Sequence, residues 1–442
     1  MQHLHETRGI HMSEESGKIS RRRFLKVGAG VAAAAAATGI GVYFATRPTP
    51  PPPEQNPITI GLQAELTGIG SVYGAWYKRV TQRGVDFMNN EMGGIADRPI
   101  KLVIEDTATD AAIGARKVRK LILEEKADFI NGALFSNVLL ASVPAAKELK
   151  TVYFANSEDY GVVSGEGNRY IFQTITDVRA QVTSIVDWIL GNVGKKWSMI
   201  YPDYAFGYYH RDWFSRLLEE RGGRVLEKVP VPADATDFLP YISRVDSQSE
   251  GIYHVIVGPG IFTFVKQLAE YGFEGAKFGF VDSIEGVDTE TIADSTEGWW
   301  FWEAFPRRLS GYDTEFNREY REIVGVDAEG AAVEDKKNIS VFSHMHSVWE
   351  SLFAIKKGVE ESGWQSKADN KKFIEYMESL HGFDEGIGFP AGSKQLDAEN
   401  HQAFGQHFIS KIESGRLNVN VRIPVEKSLY EPEVDYREEA LD

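Results

Sequence analysis

From residue 58 onwards, short apolar segments alternate with amphipathic segments of helical length, and this alternation limits the fold more than any other feature. Eight apolar segments predict buried strands: 58–62, 101–105, 128–132, 152–155, 197–201, 224–229, 254–257 and 277–281. Apolar residues recur at three- and four-residue spacing, as in helices, over 80–90, 112–125, 182–193, 213–221 and 264–271. The pattern predicts an α/β fold built on mainly parallel sheets.

A different pattern precedes residue 58. Arg21, Arg22 and Arg23 are followed by Phe-Leu-Lys and then by an uncharged run over 27–46. This order resembles a twin-arginine export signal. The run matches the roughly 20 residues that cross a bilayer core, and a small residue is missing from one of the two positions before a cleavage site. We therefore expect 21–46 to remain as a membrane anchor, with cleavage as the alternative.

The flanking segments and the composition narrow the class of protein. Residues 1–20 are polar, and the proline-rich segment 47–57 predicts an extended stalk. The chain has no cysteine, which excludes disulfides, thiolate zinc sites, a catalytic thiol and a lipid-modified cysteine. Its net charge of −16 argues against nucleic acid or an anionic membrane surface as a partner.

Parallel sheets bind their ligands beyond the carboxyl ends of the strands, so the loops that follow the strands carry the functional signal. The loop after the first strand reads Leu-Thr-Gly and runs to Tyr73-Gly74, and Gly132 to Ser136 follows the third strand. Tyr201 through Phe206-Gly207, Ala235-Thr-Asp-Phe, Gly392 and Asn400-His-Gln follow in order. Together these segments resemble the type I periplasmic binding proteins, in the branch that binds leucine, isoleucine and valine or urea and short amides.

The resemblance implies two lobes, each a mainly parallel sheet flanked by helices, with three crossover hinge segments near 173–177, 299–305 and 385–391. Lobe 1 is expected at 58–174 and 306–385, lobe 2 at 177–302 and 390–425, and an acidic tail at 426–442. A small polar solute would be buried by closure of the hinge. The implied partners are an ABC permease and its ATPase, with the protein exported to the periplasm or the outer face of the membrane.

The resemblance also implies which residues contact the solute. Ser136 would bind a carboxylate at the start of a helix, Asp282 would receive an ammonium group, and aromatic rings would pack over the solute. The acidic pair Glu158-Asp159 departs from the small residues that many relatives carry there. The predicted solute-binding residues are Tyr73, Ser136, Ala155, Asn156, Ser157, Tyr204, Phe206 and Asp282.

Simpler interpretations of the same residues stay open. Ser136 can be an ordinary helix cap, the 155–159 loop a solvated turn, and Asp282 an exposed cap. The spacing of His344 and His346 puts them on different faces of a helix, and no neighbouring carboxylate motif completes a zinc site. No nucleophile or phosphate-binding motif is present, so neither an enzyme, a metal nor a cofactor is expected. A ligand-binding sensor subunit is the alternative function.

Overall fold

The computed structural model describes residues 56–258 and 260–441. The predicted N-terminal region (1–20), the leader (21–46) and nearly all of the predicted stalk (47–57) lie outside the described residues. Within the described ranges, no helix is both long and apolar enough to cross a membrane.

Strands and helices alternate through most of the described chain. The strands are β1 (Ile58–Ala64), β2 (Ile100–Asp106), β3 (Phe129–Gly132), β4 (Val152–Ala155), β5 (Ile171–Gln173), β6 (Lys196–Pro202), β7 (Arg224–Val231), β8 (Gly251–His254), β9 (Ala276–Phe280), β10 (Trp300–Glu303), β11 (Gly382–Phe383), β12 (Lys394–Leu396), β13 (Ala403–Phe404), β14 (His407–Glu413) and β15 (Arg416–Ile423). The helices are α1 (Ser71–Glu91), α2 (Ala111–Leu123), α3 (Ser136–Glu148), α4 (Val178–Asn192), α5 (Ala205–Glu220), α6 (Leu239–Ile242), α7 (Ile261–Tyr271), α8 (Ala293–Thr296), α9 (Glu315–Val324), α10 (Phe342–Ser362) and α11 (Asn370–Glu378).

The first sheet is parallel throughout, in the order β2-β1-β3-β4-β5. Every residue of β1 is buried, as expected for a strand covered on both faces. Gln63 donates to the carbonyl of Gly114 in α2, whereas Asn131, which is in register with Leu62, donates to the carbonyl of Val348 in α10. Because neighbouring residues of a strand point to opposite faces, α2 and α10 cover opposite faces of the sheet. We call this sheet with α1–α3 and α9–α11 the first lobe.

The second sheet has the order β15-β14-β10-β9-β8-β6-β7. Strands β6 to β10 are parallel, while β14 runs antiparallel to β10 and forms a hairpin with β15. With α4–α8 this sheet makes the second lobe. The α/β class and the mainly parallel sheets expected from the alternating pattern are thus confirmed.

The chain passes between the lobes at three places before the hairpin of β14 and β15, and a fourth passage follows that hairpin. The first passage joins β5 to α4, where Asp177 accepts the N–H groups of Arg179 and Ala180, and the second follows β10. The third joins β13 to β14, after residue 404 rather than at 385–391 as the sequence suggested. Residues 382–404 instead form a small antiparallel sheet, β11-β12-β13. The first and third passages lie side by side, since Gln173 Nε2 donates to Gln402 Oε1 at 2.8 Å.

The C-terminal segment 425–441 forms a strap from the second lobe back to the first. Tyr430 Oη donates to Asp177 Oδ2 at 2.7 Å, and Tyr436 Oη donates to the carbonyl of Val162 at 2.7 Å. Further along, Lys147 Nζ lies 2.8 Å from Glu439 Oε2. The sequence predicted only an acidic tail here. The two tyrosines explain the difference, because burying their rings holds the segment in place, and Tyr436 is 4% exposed.

A buried ion pair joins α10 to the small sheet and the first passage. Lys394 Nζ lies 2.8 Å from Glu350 Oε2, and it donates to the carbonyl of Thr174 at 3.0 Å. The Glu350 side chain is fully buried and that of Lys394 is 5% exposed. Burial raises the pKa of Glu350 to about 7, although the Lys394 charge opposes this. The pair therefore fixes three segments that meet where the chain changes lobes.

We expect removal of one member of this pair to destabilise the fold and removal of both to be tolerated. Lys394→Met leaves a buried carboxyl without its partner, at a cost of about 3–5 kcal/mol. The double variant Lys394→Met/Glu350→Leu should regain most of that stability, measured as the free energy of unfolding in urea. As a matched control, Arg216→Met removes a pair with Glu220 that is more than half exposed and should cost less than about 1 kcal/mol. Equal losses in the single and double variants would contradict this role.

Candidate functional site

A small cavity lies between the lobes, bounded by loops that follow parallel strands of both sheets. Its residues come from the starts of α1 and α10 and the loops after β3 and β4 in the first lobe, and from the loops after β6, β8 and β9 in the second. They are Tyr73, Leu134, Phe135, Ser136, Ser157, Glu158, Tyr204, Phe206, Val257, Asp282 and His344. The free space is about 30 Å³, enough for about two water molecules. The lobes are closed on each other, since Tyr73 of the first lobe and Asp282 of the second are hydrogen-bonded across the cleft.

The structure brings together six of the eight predicted solute-binding residues in this cavity: Tyr73, Ser136, Ser157, Tyr204, Phe206 and Asp282. Ala155 and Asn156 do not line it. Ala155 ends β4 inside the core, and the amide of Asn156 donates to Asn131 Oδ1 at 2.6 Å and to the carbonyl of Phe154 at 3.1 Å. These bonds turn Asn156 into the first lobe, so the loop faces the cavity only from Ser157 onwards.

An imidazole surrounded by three carboxylates forms one wall of the cavity. His344 Nδ1 is hydrogen-bonded to the Glu285 carboxylate, and Nε2 lies 3.1 Å from Asp282 Oδ1 and 3.4 Å from Glu158 Oε1. All four residues are buried, with at most 7% of their surface exposed. Glu158 and His344 belong to the first lobe, and Asp282 and Glu285 to the second. This group of four, which we call the acid–imidazole cluster, therefore spans the cleft.

Two contacts hold the cluster in position. The backbone N–H of Ser343, at the start of α10, donates to Glu285 Oε1 at 2.6 Å. Tyr73 Oη donates to the backbone carbonyl of Asp282 at 2.9 Å, and its ring meets the imidazole edge to face with 5.3 Å between centroids. Both contacts cross from the first lobe to the loop after β9.

The charges of the cluster are coupled. Burial raises the pKa of Glu158 to about 8, the Asp282 charge adds to the rise, and His344 opposes it. Burial alone would lower the pKa of His344, but Glu285, Glu158 and Asp282 together raise it well above its usual range. For Asp282 the nearby imidazolium outweighs burial and lowers the pKa. The cluster thus favours a positively charged His344 beside an ionised Asp282, while Glu158 keeps its proton to a higher pH than an ordinary glutamate does.

Aromatic rings line the opposite part of the cavity. Phe135 from the first lobe stacks on Tyr204 from the second with 6.4 Å between centroids, and Tyr204 stacks on Phe206 at 6.2 Å. Rings of this kind offer a large apolar contact area with few rotamers to freeze. Tyr208, on the same loop, instead points outward and donates to Asp203 Oδ1.

Two further buried acids lie beside Ser136, the first residue of α3. Burial raises the pKa of Asp159 to about 7, while the Ser136 hydroxyl and the N–H of Val162 act in the opposite direction. Burial likewise raises the pKa of Glu65 to about 7. Glu65 Oε1 accepts the N–H groups of Leu134 at 3.1 Å and Phe135 at 3.3 Å. Glu65 thus occupies the N–H groups of Leu134 and Phe135, and two buried carboxyl groups lie at this end of the cavity.

His344 and Glu285 are the cluster members that the sequence did not indicate. His344 and His346 do face different ways, since His346 packs on Phe305 with 5.5 Å between ring centroids. In the sequence, no carboxylate motif close to these histidines indicated a metal site. In the structure the carboxylates come from loops 59 or more positions away. The unusual Glu158-Asp159 pair was the one signal that pointed to an acidic cleft.

Comparison with known proteins gives a family for this chain. The family model described as "Periplasmic binding protein" matches residues 57–416, and that of the twin-arginine translocation pathway signal matches residues 18–38. Leu/Ile/Val-binding protein homolog 6 of Brucella abortus (strain 2308) is 22% identical over 355 residues, covering 78% of this chain and 84% of the relative.

Solved structures share the fold. An ABC transporter solute-binding protein from R. palustris, in complex with benzoate, has a TM-score of 0.71 at 17% identity and covers 84% of this chain and 97% of its own. The leucine-binding protein LivK of Thermotoga maritima has a TM-score of 0.68 at 19% identity and covers 84% of this chain and 99% of its own. With its twin-arginine signal and two-lobed type I fold, the chain belongs to the periplasmic binding protein family.

Proposed function

We propose that this protein is the solute-binding component of an ABC importer and that its solute carries a protonated amine or an amide group on an apolar body. An amino acid of the branched-chain or a related type, its amide, or a short amide fits this description. The acid–imidazole cluster carries the proposal, because two of its carboxylates, Glu158 and Asp282, border the same cavity as the aromatic rings. An ammonium group between them would gain charge-assisted hydrogen bonds in a closed, water-poor cleft.

The aromatic acids bound by some solved relatives fit this cleft less well. A benzoate-like solute would find the rings of Phe135 and Tyr204, but its carboxylate would approach either the cluster or Ser136 with its acidic neighbours. Burying an anion beside carboxylates costs free energy unless one of them takes up a proton. The charge distribution therefore favours amines and amides over acids of the same shape.

Closure of the hinge supports a role in delivery. A leucine-sized solute needs more room than the present 30 Å³, so the lobes would close on it slightly further apart. Held between Glu158 of one lobe and Asp282 of the other, the solute would favour that closed form over the open one. A permease could then distinguish the loaded protein from the empty one by its shape. This coupling is what an importer requires of its binding component.

We expect a nitrogen group that donates hydrogen bonds, either an amine or an amide, to be essential for binding, and the carboxylate to be dispensable. Leucinamide should bind at least as tightly as leucine, whereas 4-methylpentanoate, which has the same carbon chain without the amine, should bind far more weakly or not at all. Isothermal titration calorimetry on one preparation would compare the three. Tight binding of 4-methylpentanoate or benzoate, with none of the amines, would refute the proposed solute class.

Asp282→Asn should weaken binding of the amine solute by about 1–3 kcal/mol, or roughly 5- to 150-fold in affinity, because it removes a buried charge that faces the ammonium. Ser136→Ala should have the smaller effect of the two. The exposed Asp288 lies on the same loop, so Asp288→Asn is a matched control that should leave the affinity unchanged. Unchanged affinity in the Asp282 variant would exclude it from the site.

The leader also belongs to the proposal. We infer that residues 27–46 remain attached and tether the protein to the outer face of the membrane. Membranes washed at alkaline pH should then retain the protein, and N-terminal sequencing should find residues upstream of 47. A soluble protein that begins after residue 45 would show cleavage instead, without affecting the proposed solute.

A further inference from the structure

Beyond the proposed solute, the acid–imidazole cluster has the arrangement of a metal centre. One ligand atom each from Glu158, Asp282 and His344 lies within 4.8 Å of the other two, and all three residues are buried. We propose that these three side chains bind one divalent first-row transition metal ion, such as Zn²⁺, and that Glu285 orients the imidazole. The ion would bind in the cleft without any solute present.

The orientation of the imidazole is the first argument. Glu285 occupies Nδ1, so Nε2 is the nitrogen that faces the carboxylates of Asp282 and Glu158. An ion bound there would replace the Nε2 proton of the imidazolium, which is released to solvent. Histidines that bind metals commonly donate their second ring N–H to a carboxylate, which fixes the tautomer and raises the basicity of the coordinating nitrogen. Glu285 is itself held by the N–H of Ser343, so this supporting contact is also fixed.

Unsatisfied oxygens are the second, independent argument. Asp282 Oδ2 is buried without a hydrogen-bond partner among the described residues, and Glu158 Oε1 has only the long 3.4 Å approach of His344 Nε2. Buried carboxylate oxygens without a partner are costly, and a cation between them would remove that cost. The oxygens belong to different lobes, so an ion bound by both would also favour closure.

The donor set selects the class of ion. Two carboxylates with one imidazole suit Zn²⁺ and its neighbours in the first transition row, whereas Ca²⁺ and Mg²⁺ prefer oxygen ligands alone. Three protein ligands leave a fourth position open. A bound ion and an ammonium group would both need Glu158 and Asp282, so the two ligands should compete.

The test uses the full chain, freed of metal with a chelator and carrying no polyhistidine tag. Zn²⁺ is titrated by calorimetry without any solute, and Co²⁺ is titrated by visible absorption. We expect one site that His344→Gln abolishes and that Glu285→Gln weakens by about 10- to 100-fold. His381→Gln replaces an exposed histidine and should leave the site intact. The N-terminal histidines are common to all variants, so they cannot produce the difference.

X-ray absorption of the Zn²⁺-loaded wild-type protein tests the metal site without any variant, so it still applies if a variant fails to fold. It should show a single imidazole and oxygen ligands at roughly 2.0–2.2 Å. Several imidazoles, no binding, or equal binding by wild type and His344→Gln would overturn the metal site. Solute binding by the metal-free protein tests the proposed function separately.

If both ligands bind, Zn²⁺ should lower the apparent affinity for the amine. An unchanged affinity would mean that the ion binds outside the cluster.

Discussion

The approach of His344 to three buried carboxylates is the interaction on which the closed structure depends. Burial and the Asp282 charge raise the pKa of Glu158 across the cleft, and the imidazole of His344, which lies 3.1 Å from Asp282 Oδ1 and 3.4 Å from Glu158 Oε1, opposes that rise and links the two lobes. Each lobe supplies part of the cluster, so neither lobe alone has a balanced set of charges. The position of the loops after β4 and β9, and with it the shape of the cavity, follows from that balance.

The parallel topology explains why these groups meet. All strands of a parallel sheet end at one edge, so the loops after β3, β4, β8 and β9 reach the cleft without any special connection. α10 contributes His344 because its first turn lies at the cleft, while the rest of the helix covers the first sheet. The same scaffold can therefore carry different chemistry in relatives that share the fold, since the loops alone determine what the cleft attracts.

The sequence indicated both the sheets and most of the cavity because both depend on patterns that are local in the chain. Apolar strands and amphipathic helices are local patterns, and Ser136, Ser157 and Asp282 immediately follow such strands. Asn156 does not line the cavity, because one position along the chain decides whether a side chain points into the lobe or into the cleft. His344 and Glu285 had no local signal, since their roles depend on the contact between lobes. The third passage and the strap were missed because polar side-chain contacts, rather than periodicity, determine their course.

The strap gives the molecule an unexpected mechanical asymmetry. β1 lies in the first lobe, and the strap returns the chain to the same lobe at Tyr436 and Glu439. In chain order, both segments of the second lobe are therefore flanked by segments of the first lobe. Both ends of the described chain are held by the first lobe. A force applied through the N-terminal segment would reach only that half directly. Opening of the cleft would therefore move the second lobe relative to the half that holds both ends of the described chain.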